Sequence, residues 1–162
     1  MRSTLALGVL LLAGCGALPP TGLQRAQQTA QDFNVDARFA RKDAMVARID
    51  EASRDEYALR HKSWGGNVRI ADMEVGALKA HGDADVDVLV HVSWYRMDEQ
   101  ELRMTTLQQS WHSKADAWLL VSEKRVDGDV GLLGETVVMQ APAGPRPKAQ
   151  FPTIRLTGNA PD

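Results

Sequence analysis

The sequence predicts an α+β fold, in which N-terminal helices pack on a curved four-stranded antiparallel sheet and an extended C-terminal tail follows. Three observations predict it. Apolar residues recur at helical spacing before residue 65, the period changes to two after Gly66, and residues 141–162 contain five prolines. Helices followed by a run of strands are typical of α+β domains. Proline-rich sequence forms neither a central strand nor a long helix.

The first helix is predicted to begin near Thr21, because Thr21 and Gln24 have the spacing of a capping box. Apolar side chains then recur at helical spacing at Leu23, Ala26, Ala30 and Phe33. A second helical stretch is expected from about Asp36 to Asp50. It is either continuous with the first or separated from it near Asn34, which is the only hint of a break.

A third helix is predicted to begin at a second capping box, which Ser53 and Glu56 form. Tyr57, His61 and Trp64 follow at i, i+4 and i+7. The helix is expected to end at Gly65-Gly66, since glycine is common just past a helix C-terminus.

Four strands are predicted after the helices, over residues 67–80, 85–96, 101–112 and 117–126. In the first strand the apolar residues lie at even positions before Ala71-Asp72 and at odd positions after it. This switch indicates a β-bulge. A turn centred on residues 98–99 fixes a register between the second and third strands. In that register Val88, Val90 and Val92 lie opposite Gln109, Leu107 and Thr105, and Val86 lies opposite Trp111. The helices are expected to cover this valine face.

The chain is therefore divided into a single α+β domain over residues 23–133 and a Pro-rich extended or disordered tail over 134–162. Charge is nearly balanced, with 19 Lys+Arg against 21 Asp+Glu and a pI near 6.1. This balance does not favour nucleic acid as a partner.

Residues 1–15 have the order of an export signal. Arg2 provides the positive end, and an apolar run of nine residues follows from Leu5 to Ala13. A membrane-spanning helix needs roughly 20 apolar residues, so this run is too short to cross a bilayer.

The run ends in Leu12-Ala13-Gly14-Cys15, which resembles the lipobox of bacterial lipoproteins. The resemblance implies that residues 1–14 are a signal peptide cleaved between Gly14 and Cys15. It also implies that acyl chains such as palmitate are attached at Cys15, and that residues 15–22 tether the domain to the membrane. The other interpretation is an ordinary export signal with a chance cysteine. An odd cysteine in an exported protein needs an explanation, and lipidation of this single cysteine supplies one.

Gly16 follows the cysteine. In enteric bacteria an aspartate at that position retains lipoproteins in the inner membrane. The resemblance to lipoproteins therefore implies an outer-membrane location, with the domain facing the periplasm.

The order of elements over residues 23–127 resembles the nuclear transport factor two-like, or cystatin-like, superfamily. The expected bulge and the segments Gln109-Ser110-Trp111 and Trp118-Leu119-Leu120 contribute to the resemblance. It implies helices folded over a curved sheet to form a cone with a cavity. An extra strand that pairs early in many members is not evident in this sequence.

Enzymes of that superfamily place Asp, His or Tyr in the cone, and the candidates here are Tyr57, His61, His91, Tyr95 and Asp98. No motif assigns a role to any of them, so no catalytic residue is predicted. The four histidines, which include His81 and His112, show no metal-ligand spacing. Neither a metal nor a cofactor is predicted.

Large side chains provide two further expectations. The aromatic residues Tyr57, Trp64, Trp94, Trp111 and Trp118 are candidates for lining a pocket, although filling the core is the favoured interpretation. On the sheet face away from the valines, a partner or a second copy of the chain is expected to contact Leu89, Tyr95, Leu102 and Met104.

Three functions remain open from the sequence. The favoured one is a membrane-anchored lipoprotein of the cell envelope, acting as a binding or accessory module for another envelope component. The second is a small-ligand carrier or enzyme that uses a cone-shaped cavity. The third is an inhibitor or immunity-type protein. The first is favoured because no catalytic set of residues is visible.

Overall fold

The computed structural model describes residues 21–99 and 101–136 and confirms the α+β architecture. The helices are α1 (Gly22–Arg38), α2 (Lys42–Val46) and α3 (Arg54–Arg60), with a 3-10 turn at Glu51–Ser53. The strands are β1 (Val68–Ala80), β2 (Asp85–Arg96), β3 (Leu102–Lys114) and β4 (Ala117–Gly128). They form one antiparallel meander in the order β1-β2-β3-β4.

Several expectations lie outside the described residues. They are the signal peptide, the cleavage site at Gly14 and Cys15, most of the tether, and residues 137–162 of the tail. Among the residues that are described, no helix is both long and apolar enough to cross a membrane.

The predicted register between β2 and β3 is confirmed. Val88 lies opposite Gln109, Val90 opposite Leu107, Val92 opposite Thr105 and Val86 opposite Trp111. The valines are buried on the face that the helices cover. Four fully buried residues of α1 pack there, namely Ala26, Ala30, Phe33 and Ala37. Small alanine side chains let the helix approach the sheet closely, and full burial of an aromatic ring such as that of Phe33 stabilises the domain by about 2–3 kcal/mol.

The predicted β-bulge in β1 is also confirmed, since the pairing with β2 shifts between Ile70 and Asp72. A second shift, between Val75 and Leu78, was not predicted. Each bulge bends its strand and increases the local twist. Together they curve the sheet around the helices.

Of the two possibilities left open at Asn34, the structure shows a continuous helix. Helix α1 continues through Asn34 to Arg38, and the chain turns instead at Ala40, which has a φ of 52°. Asparagine often disrupts helices by competing for backbone hydrogen bonds. Here its side-chain amide donates to Ala30 O at 2.8 Å and also reaches β3, so the helix is retained. The expected single helix over 36–50 is instead the end of α1 and the five-residue α2.

One of the two predicted capping boxes is present. The Thr21 side chain accepts from Gln24 N, and Gln24 Oε1 accepts from Thr21 N at 2.8 Å. At the third helix the prediction is wrong, because the Ser53 hydroxyl donates to Val121 O of β4 at 2.6 Å instead of capping α3. Helix α3 also ends earlier than expected, at Arg60.

The segment after β4 folds back against the helices. Leu132 and Leu133 are buried, and Trp64 Nε1 donates to Leu132 O at 2.8 Å. The Glu135 carboxylate accepts from the amides of Gly131 and Leu133. The described chain is therefore held to the domain as far as Glu135.

Candidate functional site

A chain of buried polar side chains crosses the core between the helices and the sheet. Asn34 of α1, His61 just after α3, Gln109 of β3 and Glu123 of β4 are each at most 5% exposed. Buried polar groups of this kind are retained only where hydrogen bonds compensate for the loss of water.

Glu123 faces inward because β4 contains a bulge. Ser110 pairs with Ser122 but Trp111 pairs with Leu120, so Val121 is the extra residue. Strict alternation from Trp118 and Leu120 would place Ser122 inside and Glu123 in solvent. The extra residue reverses this order. For this reason a buried carboxylate at position 123 was not predictable from the alternation of apolar residues.

His61 is held through both ring nitrogens. Nδ1 lies 2.7 Å from the backbone carbonyl oxygen of Tyr57, and Nε2 lies 2.7 Å from Glu123 Oε2. A carbonyl oxygen only accepts, so Nδ1 must carry a hydrogen. One more proton then lies between His61 and Glu123. Either an imidazolium donates to a carboxylate, or a protonated carboxyl donates to a neutral ring.

Two amides complete the network. Gln109 Nε2 donates to Glu123 Oε1 at 2.8 Å and to Asn34 Oδ1 at 2.9 Å. In return, Asn34 Nδ2 donates to Gln109 Oε1 at 3.2 Å. The network joins α1, β3 and β4 to the end of α3. Both ring nitrogens of His61 are engaged, so this arrangement leaves no free nitrogen to act as a general base or to bind a metal.

Tyr57 lies directly against this network. Its ring stacks on the imidazole of His61 with centroids 3.7 Å apart, and it meets Phe33 edge to face. Its hydroxyl is buried without a hydrogen-bond partner among the described residues. Burial raises the pKa of the Tyr57 hydroxyl well above its ordinary value, and the nearby charge of Glu123 raises it further. The phenol therefore stays neutral.

Tyr57 and His61 line two cavities. The first, called here the apolar pocket, has a volume of about 120 Å³ and lies between the α1–α2 turn and α3. Its lining consists of Ala37, Ala40, Lys42, Met45, Val46, Tyr57, Ala58, His61, Lys62 and Trp64. The second is a cleft of about 250 Å³ between α3 and β4, and its lining includes Arg60, Glu123 and Lys124.

The five aromatic residues singled out from the sequence are placed differently from one another. Trp94 and Trp111 are enclosed in the core, and Trp118 is buried beside an open groove along α1. Only Tyr57 and Trp64 line the apolar pocket.

The other candidates for catalysis do not join Tyr57 and His61. His91 is exposed and contacts Thr106 Oγ1 at 3.2 Å, on the far face of the sheet. Tyr95 lies on that same face. Asp98 lies in the β2–β3 turn, where a hydrogen bond from Arg96 lowers the pKa of Asp98 to about 2. Within the described ranges, no three His, Cys, Asp or Glu side chains are grouped closely enough to hold a metal ion.

The outer face of the sheet carries a compact group of exposed apolar side chains. Tyr95 lies directly opposite Leu102, and Met104 follows on the same face of β3, opposite Ser93. Their exposed fractions are 37%, 63% and 61% for Tyr95, Leu102 and Met104. These three residues are called the outer apolar cluster. The fourth predicted residue, Leu89, is half-buried opposite Gln108 and lies away from the cluster.

Comparison with known proteins gives limited likenesses. No family model matches the chain. It is 32% identical over 71 residues to the outer-membrane lipoprotein LolB of Dechloromonas aromatica (strain RCB). That match covers 44% of this chain and 37% of the relative, so the chain spans little more than a third of the length of the protein it matches.

Two solved structures are similar. A SEC-C motif containing protein from Rhodopseudomonas palustris has a TM-score of 0.52 at 11% identity, over 67% of this chain and 83% of that one. A protein of unknown function with a cystatin-like fold, from Nostoc punctiforme, has a TM-score of 0.48 at 10% identity, over 71% and 98% of the two chains. The first likeness concerns the fold alone.

Proposed function

We propose that this protein is a lipid-anchored component of the bacterial cell envelope, whose domain binds another envelope protein through the outer apolar cluster. The observation that carries the proposal is the contiguous exposure of Tyr95, Leu102 and Met104 on adjacent strands. Grouped apolar side chains of this kind on a soluble domain mark interaction sites more often than scattered ones do.

The anchor is supported by two features. The segment Leu12-Ala13-Gly14-Cys15 has the composition and position of a lipobox. Part of the chain is also similar to an outer-membrane lipoprotein. Stable attachment takes about two acyl chains, and lipidation at Cys15 would supply at least that number. We place the anchor in the outer membrane, with the domain facing the periplasm.

The surroundings of the cluster suit a protein partner. Aromatic residues and methionine are enriched at the centres of protein interfaces, and methionine adapts its shape to the surface it meets. Charged side chains border the cluster at the β2–β3 turn, where Arg96 and Arg103 pair with Glu99 and Arg96 also pairs with Asp98. The positive and negative charges of these pairs offset one another, and the pairs would form a polar rim around the apolar centre.

The buried network supports a binding role over catalysis. Both nitrogens of His61 and both carboxylate oxygens of Glu123 are engaged within the protein. The Tyr57 hydroxyl is neutral because burial raises its pKa. We assign the network a structural role, in which it fixes α1 and α3 on the sheet that presents the cluster.

The experiment is native mass spectrometry of the full-length protein, extracted from its own membrane in mild detergent. We expect acyl chains on Cys15 and a bound envelope protein. The double variant Leu102→Glu/Met104→Glu should lose that partner. Val35→Glu, which also places a charge at an exposed apolar site on α1, should retain it. A partner retained by the double variant would contradict the proposal. A homodimer lost in the double variant would assign the cluster to self-association instead.

A further inference from the structure

The walls of the apolar pocket leave room for a ligand because several of them are alanines. Ala37, Ala40 and Ala58 line it beside the larger Met45 and Trp64. An apolar cavity of roughly 150 Å³ holds one benzene molecule. At about 120 Å³ the pocket fits a single ring or a short branched carbon chain.

The lip of the pocket is held in place by an unusual backbone. Ala40 has a φ of 52° and Gly65 has a φ of 77°. A Cβ on Gly65 would lie 2.8 Å from Ala40 Cβ, so the two segments pack as closely as the absence of that atom allows. A non-glycine residue with positive φ is strained and persists only where its surroundings enforce it. This contact fixes the backbone of Ala40 at the edge of the pocket.

The floor of the pocket offers carbon surface. Both nitrogens of His61 are bonded elsewhere, and its ring stacks on Tyr57 and meets Trp64 edge to face. No ring nitrogen of His61 is left to bond a ligand. An apolar group would meet aromatic and thioether surfaces, which favour flat or branched hydrocarbons.

The charge at the rim is positive. Lys42 and Lys62 line the pocket from α2 and from the turn after α3, and both are exposed. Neither forms an ion pair with any residue that the structure describes, whereas Arg41 and Arg48 nearby both pair with Asp36. Two lysines at the edge of an apolar cavity, with no ion-pair partner among the described residues, favour a ligand that carries an anion next to its apolar part.

We infer that the apolar pocket binds a small apolar group that carries a carboxylate. The group enters the cavity, and the carboxylate lies between Lys42 and Lys62. Two sources share this chemistry, a free aromatic or branched acid and the C-terminal residue of a peptide. The inference is independent of the outer apolar cluster, which lies on the opposite face of the sheet.

The test is an NMR titration of the full mature chain carrying Cys15→Ser, with phenylacetate as the probe. We expect shifts confined to the pocket, at the amides of Ala40, Met45 and Ala58. Phenylacetamide has the same shape without the charge. It should bind about ten-fold more weakly, because it cannot form the two ion pairs with the exposed Lys42 and Lys62, each of which is individually weak.

Three variants locate the site. Ala58→Leu, on the exposed side of α3, should fill the cavity and abolish the shifts without unfolding the domain. Lys42→Glu/Lys62→Glu should weaken phenylacetate binding by about ten-fold or more. Lys79→Glu, on β1 and away from the pocket, is the matched control and should change nothing.

Two peptide probes distinguish the sources. The first probe is acetyl-Gly-Phe, and the second is the same peptide with an amidated C-terminus. If the first binds more tightly than phenylacetate and the amidated form does not, a peptide C-terminus is the natural ligand. If phenylacetate binds more tightly than acetyl-Gly-Phe, a free acid is the natural ligand. The inference is overturned if neither probe shifts the pocket, if phenylacetamide matches phenylacetate, or if Ala58→Leu leaves binding intact.

Discussion

Nε2 of His61 lies 2.7 Å from Oε2 of Glu123, although the two residues are 62 positions apart in the chain. This contact fixes the end of α3 against the bulged strand β4. The backbone carbonyl oxygen of Tyr57 already requires a hydrogen on Nδ1 of His61. The proton between the two side chains can therefore lie on His61 or on Glu123. The stability of the pair therefore depends on complementary donors and acceptors.

The first prediction concerns Glu123. Glu123→Gln can donate from its amide to a neutral His61 while its oxygen still accepts from Gln109, so we expect a loss of no more than about 1.5 kcal/mol. Glu123→Leu leaves His61 and Gln109 buried without partners and should cost about 3–5 kcal/mol. Urea unfolding of the purified protein measures both.

Glu56→Gln is the matched control, since Glu56 is an exposed carboxylate paired with Arg60 on the same helix. It should change the unfolding free energy by less than about 0.5 kcal/mol. If Glu123→Gln were as destabilising as Glu123→Leu, the network would require a formal charge at position 123.

The second prediction concerns the hydroxyl of Tyr57, which is buried without a partner among the described residues. Tyr57→Phe removes this group and keeps the ring that stacks on His61. We expect the unfolding free energy to rise by about 1 kcal/mol, because an unsatisfied buried hydroxyl is unfavourable. Destabilisation in the same urea experiment would mean that the hydroxyl takes part in a hydrogen bond.

The third prediction concerns acid and the segment after β4. Burial tends to raise the pKa of Glu135, but backbone amides that include those of Leu133 and Gly131, together with Arg125, lower it below its ordinary value of 4.5. A lowered folded-state pKa means that the stabilisation is present above about pH 4.5 and is lost as the pH falls through the lower folded value. The segment should therefore open in acid.

Hydrogen exchange at the amides of Gly131 and Leu133 follows this opening. Exchange, corrected for its intrinsic pH dependence, should accelerate below about pH 4.5. Glu135→Gln should already be faster at neutral pH and should lose that acid dependence. Asp98→Asn is the control, because Asp98 also has a lowered pKa but lies in a different turn. An unchanged acid response in Glu135→Gln would contradict the assignment.

The fold was predictable where apolar periodicity is strong. The alternating valines of β2 were enough to give the strand, its buried face and its register with β3. The bulge near Ala71 was visible because apolar residues flank it on both sides. The break between α1 and α2 was not predictable, because it depends on Ala40 adopting a positive φ that tertiary packing imposes.

The candidate site was predictable only in part. Tyr57, His61 and Trp64 were recognised by their spacing and do lie together. Glu123 was not recognised as buried, because the bulge at Val121 turns its side chain from the outer to the inner face of the sheet. No apolar alternation in the sequence marks that bulge. Gln109 was placed opposite Val88 on the buried face, but its partner Asn34 was noted only as a hint of a helix break. Long-range hydrogen bonds of this kind leave no local pattern in the sequence.

Under the proposed function, the domain is anchored at Cys15 and binds an envelope protein through the outer apolar cluster. Photo-cross-linking in intact cells tests it most directly, with a photoreactive amino acid placed at Leu102 or, as the control, at Val35. We predict one cross-linked envelope protein from position 102, none from position 35, and loss of the adduct when Cys15→Ser removes the anchor. The same adducts from both positions, or no adduct from position 102, would contradict the account.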